Sequence, residues 1–300
     1  MVLKLLIATL FVLMLLGAFL FEPVQRGKNL GDFGQPDVPE ERNRQFRLMT
    51  WNIGNGDLES ESRAHAEDLP AVAQVILSKD PDAVALQELT GEDQLKLLLT
   101  HLKNRYRGYV CTTSSADRVA AVLVRDRNGK DLAPRFESVP AGNKFAAAAT
   151  FRLDKQLPEI VLVSAHADAF SASHRRVSTA DLVDWARVRT IGTTYGGTNG
   201  QTKIAFIAGD LNLEVSTRNQ TNLFTNDANH DSESYAYLLK YFRDLGLDAG
   251  ETSVNDRRID YVFGPLVTLM GNSPAPRAEV LRGAAIGGMD HRPLLVQITF

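Results

Sequence analysis

Residues 109–166 read YVCTTSSADRVAAVLVRDRNGKDLAPRFESVPAGNKFAAAATFRLDKQLPEIVLVSAH. Five strand-like segments follow one another here: Tyr109–Thr113, Arg118–Arg125, Arg135–Val139, Lys144–Arg152 and Ile160–Ala165. Each is bounded by turn-forming residues, with Asp126-Arg127-Asn128-Gly129-Lys130 as a turn cluster between two of them. A doubly wound parallel sheet alternates strand and helix more strictly than this. Such a run of strands suits two mixed sheets packed face to face, with the helices outside.

The flanks supply those helices. Before the run, Arg47–Ile53 (RLMTWNI) and Asp82–Leu86 read as strands. Ala64–Ser78 carries a helical stripe of Leu69, Val72, Ala73, Ile76 and Leu77, and Gly91–Arg105 places Leu95, Leu98, Leu99 and Leu102 on one face. After the run come a helix over Ser178–Ile191, a glycine-rich loop over Tyr195–Gly200, and the buried-type strand Lys203–Ala208 (KIAFIA). A helix over Ser234–Leu245 and strands at Arg258–Phe263, Leu266–Met270 and Leu294–Phe300 complete the chain. There is no internal repeat, and strands spread from residue 47 to 300 predict one domain.

Composition narrows the function classes. The chain has 300 residues, 44% apolar and 23% charged, which excludes a disordered tail and a polytopic membrane protein. The single cysteine, Cys111, excludes an internal disulfide scaffold and a multi-cysteine metal cluster. The net charge is -3, and residues 1–45 carry as many basic as acidic side chains, so the remainder is equally acidic. Tight nonspecific binding to duplex nucleic acid runs on phosphate contacts and a basic balance, which this chain lacks.

Residues 5–21, LLIATLFVLMLLGAFLF, are uncharged, with Lys4 before them and Glu22-Pro23 after. The run is at the short edge of a membrane-spanning helix and slightly long for a signal-peptide core. Ala18 is the only small residue in Leu16-Gly17-Ala18 suited to a cleavage site, and it lies inside the run. An uncleaved anchor is therefore favoured over a cleaved signal, with the globular part outside the cytoplasm, or secreted or periplasmic if cleavage occurs. The flanking charges do not fix orientation. Residues 22–45, rich in Gly and Pro and without periodicity, read as a linker to a domain over 46–300.

Several polar residues sit where strands end. Taken singly, Asn52 in TWNIGNG is a turn residue, Glu88 after DAVALQ a solvated strand end, and His166 after IVLVSA a structural histidine. Asp210 and Asn212 in AGDLN lie two apart, so their side chains share a face if the strand persists. Asp260 lies among apolar neighbours in RRIDYVF. Asp290-His291, in GGMDHRPL, must lie in a loop for both to serve one site. Together they suit phosphoester chemistry. A hard cation takes oxygen ligands such as Glu88. A carboxylate-paired histidine, His291 with Asp260, deprotonates water. His166 and Asn212 can hold phosphate oxygens.

The ordered set TWN, QE, SAH, GDLN, RIDYVF and MDHRPL resembles the endonuclease/exonuclease/phosphatase superfamily over about residues 46–300. The resemblance implies a four-layered α/β sandwich and metal-dependent hydrolysis of a phosphodiester or phosphomonoester, usually with magnesium and with manganese as a substitute. It implies Glu88 as the principal metal ligand, with Asp290 and Asn52 near the metal. It implies Asn52, His166 and Asn212 at the phosphate, Asp210 orienting the nucleophile or helping the leaving group, and His291 as general base partnered by Asp260. The residues after His166, SAHADAF, are closer to the CdtB-like toxin-subunit branch than to deoxyribonuclease I. No counterpart of the carboxylate that supports the first histidine in deoxyribonuclease I is evident, and Asp168 could substitute. Arg176, in His174-Arg175-Arg176, is a further candidate for phosphate contact, and Trp51 and Trp185 read as packing residues. A nuclease-like phosphodiesterase is placed ahead of a lipid or small-molecule phosphatase or phospholipase, and a noncatalytic binding domain last. A basic groove around Arg175, Arg176, Arg257 and Arg258 would support the nuclease. The expected partner is DNA, a phospholipid or a small phosphoester, and a membrane-tethered monomer is expected.

Overall fold

Strand alternation assigns every side chain of the central strands to one of two faces. In the computed structural model, β6 (Lys144–Phe151), β7 (Glu159–His166) and β8 (Lys203–Asp210) follow this rule strictly. Ala147, Ala149, Ile160, Leu162, Ile204, Phe206 and Ala208 enter one core, while Ala146, Ala148, Val161, Val163, Ala205 and Ile207 enter another. The residues described are 45–54, 68–111, 118–127, 132–190, 203–215, 228–253, 256–266, 274–283 and 289–300.

Two six-stranded sheets result. The first runs β11 (Arg277–Val280), β12 (Leu294–Thr299), β1 (Gln45–Asn52), β2 (Ala83–Leu89), β4 (Val119–Arg125), β3 (Tyr106–Val110). The second runs β5 (Arg135–Ala141), β6, β7, β8, β10 (Asp260–Pro265), β9 (Phe242–Asp244). Each sheet has one parallel pair at its centre, β1 with β2 and β7 with β8, and antiparallel pairs elsewhere. The sheets face each other across Phe46, which packs on Phe151 and Phe206. A buried polar chain also crosses the gap: Gln87 Nε2 donates to Ser164 Oγ at 3.0 Å, and Ser164 Oγ donates to the Leu86 carbonyl at 3.0 Å.

Helices cover the outer faces. α1 (Leu69–Lys79) and α2 (Glu92–His101) bury Leu69, Val72, Ile76, Leu95 and Leu98 against the first sheet. α1 stops at Asp80, whose left-handed φ of 49° closes the Asp80 N to Ile76 O bond before Pro81. α3 (Ala172–Thr190) and α4 (Ala228–Leu239) cover the second sheet, with Leu182, Val183, Ala186 and Leu238 in its outer core. This is the four-layered α/β sandwich expected.

Some boundaries differ. The helix expected over Ser234–Leu245 begins at Ala228 and ends at Leu239. Its last residues form β9, because Phe242–Asp244 find open hydrogen-bonding partners on the edge of β10. The helix expected from Ser178 begins at Ala172. The edge strand β11, four residues with mixed burial, gave no periodic signal. Gln45, read as the last linker residue, pairs with Thr299 as the first residue of β1. Residues 5–21 and 22–44, the Tyr195–Gly200 loop, Asn128–Lys130 of the turn cluster and residues 267–270 of the expected Leu266–Met270 strand lie outside the described residues. Among the described residues no helix is long and apolar enough to cross a membrane.

Candidate active site

The alternation that builds the core also loads one end of it with polar groups. Asn52 lies two residues beyond Thr50 on the inner face of β1, and His166 and Asp210 continue the inner series of β7 and β8. His166 is the register partner of Asp210, and Asp260 pairs with Asp210 from β10. Four of the expected residues are thus delivered by strand geometry alone.

Glu88 is not. Gln87 holds the inner position of β2, so a regular strand would turn Glu88 to the opposite face. The β2–β4 register slips between Leu86 and Leu89, and Glu88 takes a φ of 62°. This bulge re-aims its carboxylate to the inner end. There Oε1 accepts from Asn52 Nδ2 at 3.1 Å and lies 3.5 Å from His166 Nε2. Gly54 makes room, since a Cβ there would lie 2.2 Å from Glu88 Oε2.

Asp210 and Asn212 converge differently from expectation. The strand ends at Asp210, and Asn212 takes a left-handed φ of 50°. Asp210 Oδ1 caps this turn by accepting from the Asn212 backbone N–H at 2.9 Å. Asp210 Oδ2 accepts from Asn52 Nδ2 at 3.1 Å and lies 3.7 Å from His291 Nε2. Gly209, at φ 144°, brings the β7 and β8 backbones so close that a Cβ would sit 1.9 Å from the Ala165 carbonyl oxygen.

Asp290-His291 lies outside the named strands, as the two-sided geometry requires. His291 Nδ1 is 2.8 Å from Asp260 Oδ2, and Trp51, a core residue as expected, donates from Nε1 to the His291 carbonyl at 3.2 Å. Asp290 Oδ1 lies 3.9 Å from His291 Nε2, and its side chain is about one-third exposed.

Burial sets the electrostatics. It raises Asp210 to about 7, with Asp260 and Glu88 adding to the shift and His291 and Asn52 opposing it. It raises Glu88 as well, against the Asn52 hydrogen bond and the charge of Arg118. Burial opposes charge on His291, but Asp260 and Asp210 outweigh it and hold the imidazole up to about 10. Burial, with the charges of Lys144, His291 and Arg118, keeps His166 well below the usual histidine range and hence neutral.

The donor set fits a hard divalent cation. Ligand atoms of Glu88, His166 and Asp210 converge, as do those of Asp210, Asp260 and His291. Burial pushes both Glu88 and Asp210 toward protonation, so the pocket has anionic capacity that a cation would satisfy. Asn52 sits between the Glu88 and Asp210 carboxylates. Its amide oxygen accepts from Gly54 N at 2.9 Å, and its amide nitrogen faces the two carboxylates, which it orients. Asp290 stands apart from both converging sets, although its charge reaches Glu88 and His291.

The arginines are the main correction. Arg175 is buried and held by both oxygens of Asp231, at 2.7 and 3.0 Å. Arg257 pairs with buried Glu214 and Arg258 with buried Asp244. Arg176, proposed for phosphate, instead lines the outer groove between α3 and α4, 4.0 Å from Glu233. The four arginines therefore form no groove at this centre. Asp168 does not support His166, whose Nδ1 is buried with no hydrogen-bond partner among the described residues. The Asp168 oxygens instead accept from Phe170 N, Ser171 N, His174 and Asn143. Trp185 packs on the outer core and under Arg189.

Two cations were missed. Arg118 Nη1 lies 3.5 Å from Glu88 Oε2, and Lys144 Nζ donates to the Ala167 carbonyl at 3.1 Å. The signal for Lys144 was hairpin register, which the strand reading contained but did not extend.

A model of the endonuclease/exonuclease/phosphatase family matches residues 49–269. No curated protein sequence matches the chain. Among solved structures, TDP2 from Caenorhabditis elegans is similar at 15% identity, covering 85% of this chain and 75% of its own, with TM-score 0.60. AP endonuclease LMAP from Leishmania major has 13% identity, covers 86% and 89%, and gives TM-score 0.61. A mannosyl-6-phosphatase from Bacteroides thetaiotaomicron VPI-5482 has 17% identity, covers 85% and 100%, and gives TM-score 0.60. At these identities the likenesses are of fold.

Proposed function

The chain belongs to the endonuclease/exonuclease/phosphatase family, and from that premise we propose that it is a magnesium-dependent phosphoester hydrolase in which activated water attacks phosphorus in line. The observation that carries this reading is the convergence of Glu88, Asp210 and the Asp260–His291 pair at the inner ends of both sheets. Magnesium held by Glu88, with Asp210 or Asp290 beside it, would neutralise phosphate oxygens and the leaving oxygen.

The chain's own residues do the rest. Asp260 fixes the ring of His291, so that Nε2 and Asp210 Oδ2 face the same space. A water there is oriented by both groups and loses its proton to the Asp210 carboxylate. Asp210, raised to about 7, is poised for proton exchange near neutral pH. His291, charged at rest, offsets negative charge as it builds on phosphate. Neutral His166 and the Asn212 amide orient the phosphate oxygens, while the Asn52 amide orients Glu88 and Asp210.

Nuclease-like cleavage of a phosphodiester is the first reading of the substrate. A small or lipid phosphoester is the second. It is favoured by the consumption of Arg175, Arg257 and Arg258 in buried ion pairs, which removes the duplex-binding groove they were expected to form. The protein acts as a monomer anchored through residues 5–21, with its catalytic domain outside the cytoplasm.

The test is magnesium-dependent turnover on supercoiled DNA, single-stranded DNA, sphingomyelin, phosphoinositides and bis-p-nitrophenyl phosphate, with Glu88→Ala and His291→Ala as controls. Each control should lose about 100-fold or more. DNA nicking lost in both selects the first reading, and lipid or small-ester turnover without nicking selects the second. Silence of folded, metal-bound wild type on the whole panel rejects both.

A further inference from the structure

Glu214 lies two residues beyond Asn212 and is buried, although a loop carboxylate ordinarily faces water. It accepts from Nε of buried Arg257 at 3.3 Å, and its backbone N–H donates to Asp231 Oδ2 at 3.2 Å. Neither Glu214 nor Arg257 belongs to the converging ligand sets. Their contacts lead instead to the backbone that carries the histidine dyad. The Arg257 carbonyl accepts from the N–H groups of Thr252 and Ser253, both at 2.9 Å. Thr252 Oγ1 accepts from Ile259 N at 3.2 Å and from Asp260 N at 3.0 Å. The Thr252 carbonyl accepts from Arg292 N at 2.7 Å, and Ser253 forms an isolated bridge with His291. Strand pairing already fixes Asp260 beside Asp210. His291 lies outside the named strands, so its placement depends on Trp51 and on Thr252 and Ser253.

We propose that Glu214 is a positioning residue of this centre: its grip on Arg257 ties the loop after β8 to the backbone around His291 and so sets Nε2 of that ring opposite Asp210. Burying a carboxylate and a guanidinium costs desolvation that an apolar pair of similar volume avoids. What the ion pair adds is direction, because the planar guanidinium meets its carboxylate in a narrow range of orientations. That direction passes to the Arg257 carbonyl and through it to Thr252 and Ser253. The separation at stake is the 3.7 Å between His291 Nε2 and Asp210 Oδ2, the space assigned to the attacking water. The phosphate contacts of His166 and Asn212 lie on the other side of Asp210, so a loosened tie disturbs water orientation before it disturbs substrate binding.

This inference rests on the phosphoester-hydrolase reading, and its test separates the two. The full chain is compared as wild type, as Arg257→Lys and as the double variant Glu214→Leu with Arg257→Met. The double variant replaces the pair by apolar volume and should stay folded, with Tm within a few degrees of wild type. Arg257→Lys keeps the charges and loses the fixed direction. Two readouts are taken where each protein is folded. One is kcat and KM on bis-p-nitrophenyl phosphate, or on any panel substrate that wild type turns over. The other is the NMR signal of the His291 ring N–H bonded to Asp260, identified among the six histidines by its loss in His291→Gln. The double variant should lower kcat about tenfold or more at unchanged KM, and Arg257→Lys about threefold, and both should shift the His291 signal. A folded variant with wild-type kcat and an unmoved signal overturns the proposal, whatever its Tm. So does a raised KM at unchanged kcat, which would place the tie at the substrate wall. Wild type that hydrolyses nothing rejects the hydrolase reading, and the His291 signal alone then decides whether Glu214 positions the dyad.

Discussion

At the scale of single residues, the His291–Asp260 pair gives the protein a measurable pH signature. Asp260 and Asp210 raise His291 to about 10 in the folded chain, against about 6.5 for an unfolded histidine. A raised histidine contributes stability that is fully present below pH about 6.5 and is lost as pH rises through about 10. Thermal melts of metal-free wild type and His291→Gln should therefore differ most at pH 6 and converge toward pH 10. A constant gap would remove the linkage. A second residue-scale prediction concerns Gly54. A Cβ there would press on the end of the Glu88 side chain, 2.2 Å from Oε2, and the chain can yield by swinging that carboxylate away. Gly54→Ala should keep a Tm within a few degrees of wild type while losing about 100-fold or more of magnesium-dependent activity. A variant with full activity would show that Glu88 need not hold this position.

At the scale of elements, strand parity explains what could be read beforehand. Leu162, Ser164 and His166, like Phe206, Ala208 and Asp210, follow a period of two, so the inner polar ends were legible once the strands were. Glu88 was not legible by that rule, because its position depends on a bulge and a left-handed φ that no alternation encodes. Its motif, QE, pointed to it through family likeness instead. The arginines failed for another reason. Basic residues near a cleft in sequence look alike, and only packing shows that Arg175 bridges loops instead of facing substrate. Its guanidinium binds Asp231 at the start of α4 and the carbonyls of Asp168 and Ala169 in the loop after β7, while Asp231 also accepts from Glu214 N after β8. These two loops follow His166 and Asn212. Replacing one member of a buried ion pair strands the other charge, so Asp231→Ala should cost about 3–5 kcal/mol in denaturant unfolding. A loss below about 1 kcal/mol would show that the pair holds neither loop.

At the scale of the whole molecule, the catalytic machinery and the apolar leader make separate demands. A site whose carboxylates are pushed toward protonation by burial should gain stability from a cation. Magnesium at about 100 times its dissociation constant should add about 2.7 kcal/mol to wild type, and much less to Glu88→Gln. Equal gains would place the ion elsewhere. We propose that location is decided by residues 5–21, where an uncharged run adjoins a Gly- and Pro-rich stretch of sequence before β1. An anchored enzyme keeps this run, so the full chain should sediment with membranes, resist carbonate extraction and be released by detergent. The same chain lacking residues 1–21 should remain in the supernatant with unchanged turnover of a soluble phosphoester. Recovery of a shortened chain outside the membrane would show signal cleavage instead. The two outcomes constrain substrate differently. A tethered site meets lipid headgroups at high local concentration and diffusing DNA only at the membrane surface, whereas a released one has no such bias. If the anchor is retained, turnover of a lipid phosphoester in vesicles should therefore fall when residues 1–21 are removed, while turnover of bis-p-nitrophenyl phosphate does not. Equal losses on both would tie the leader to folding, and no loss on either would detach localisation from substrate choice.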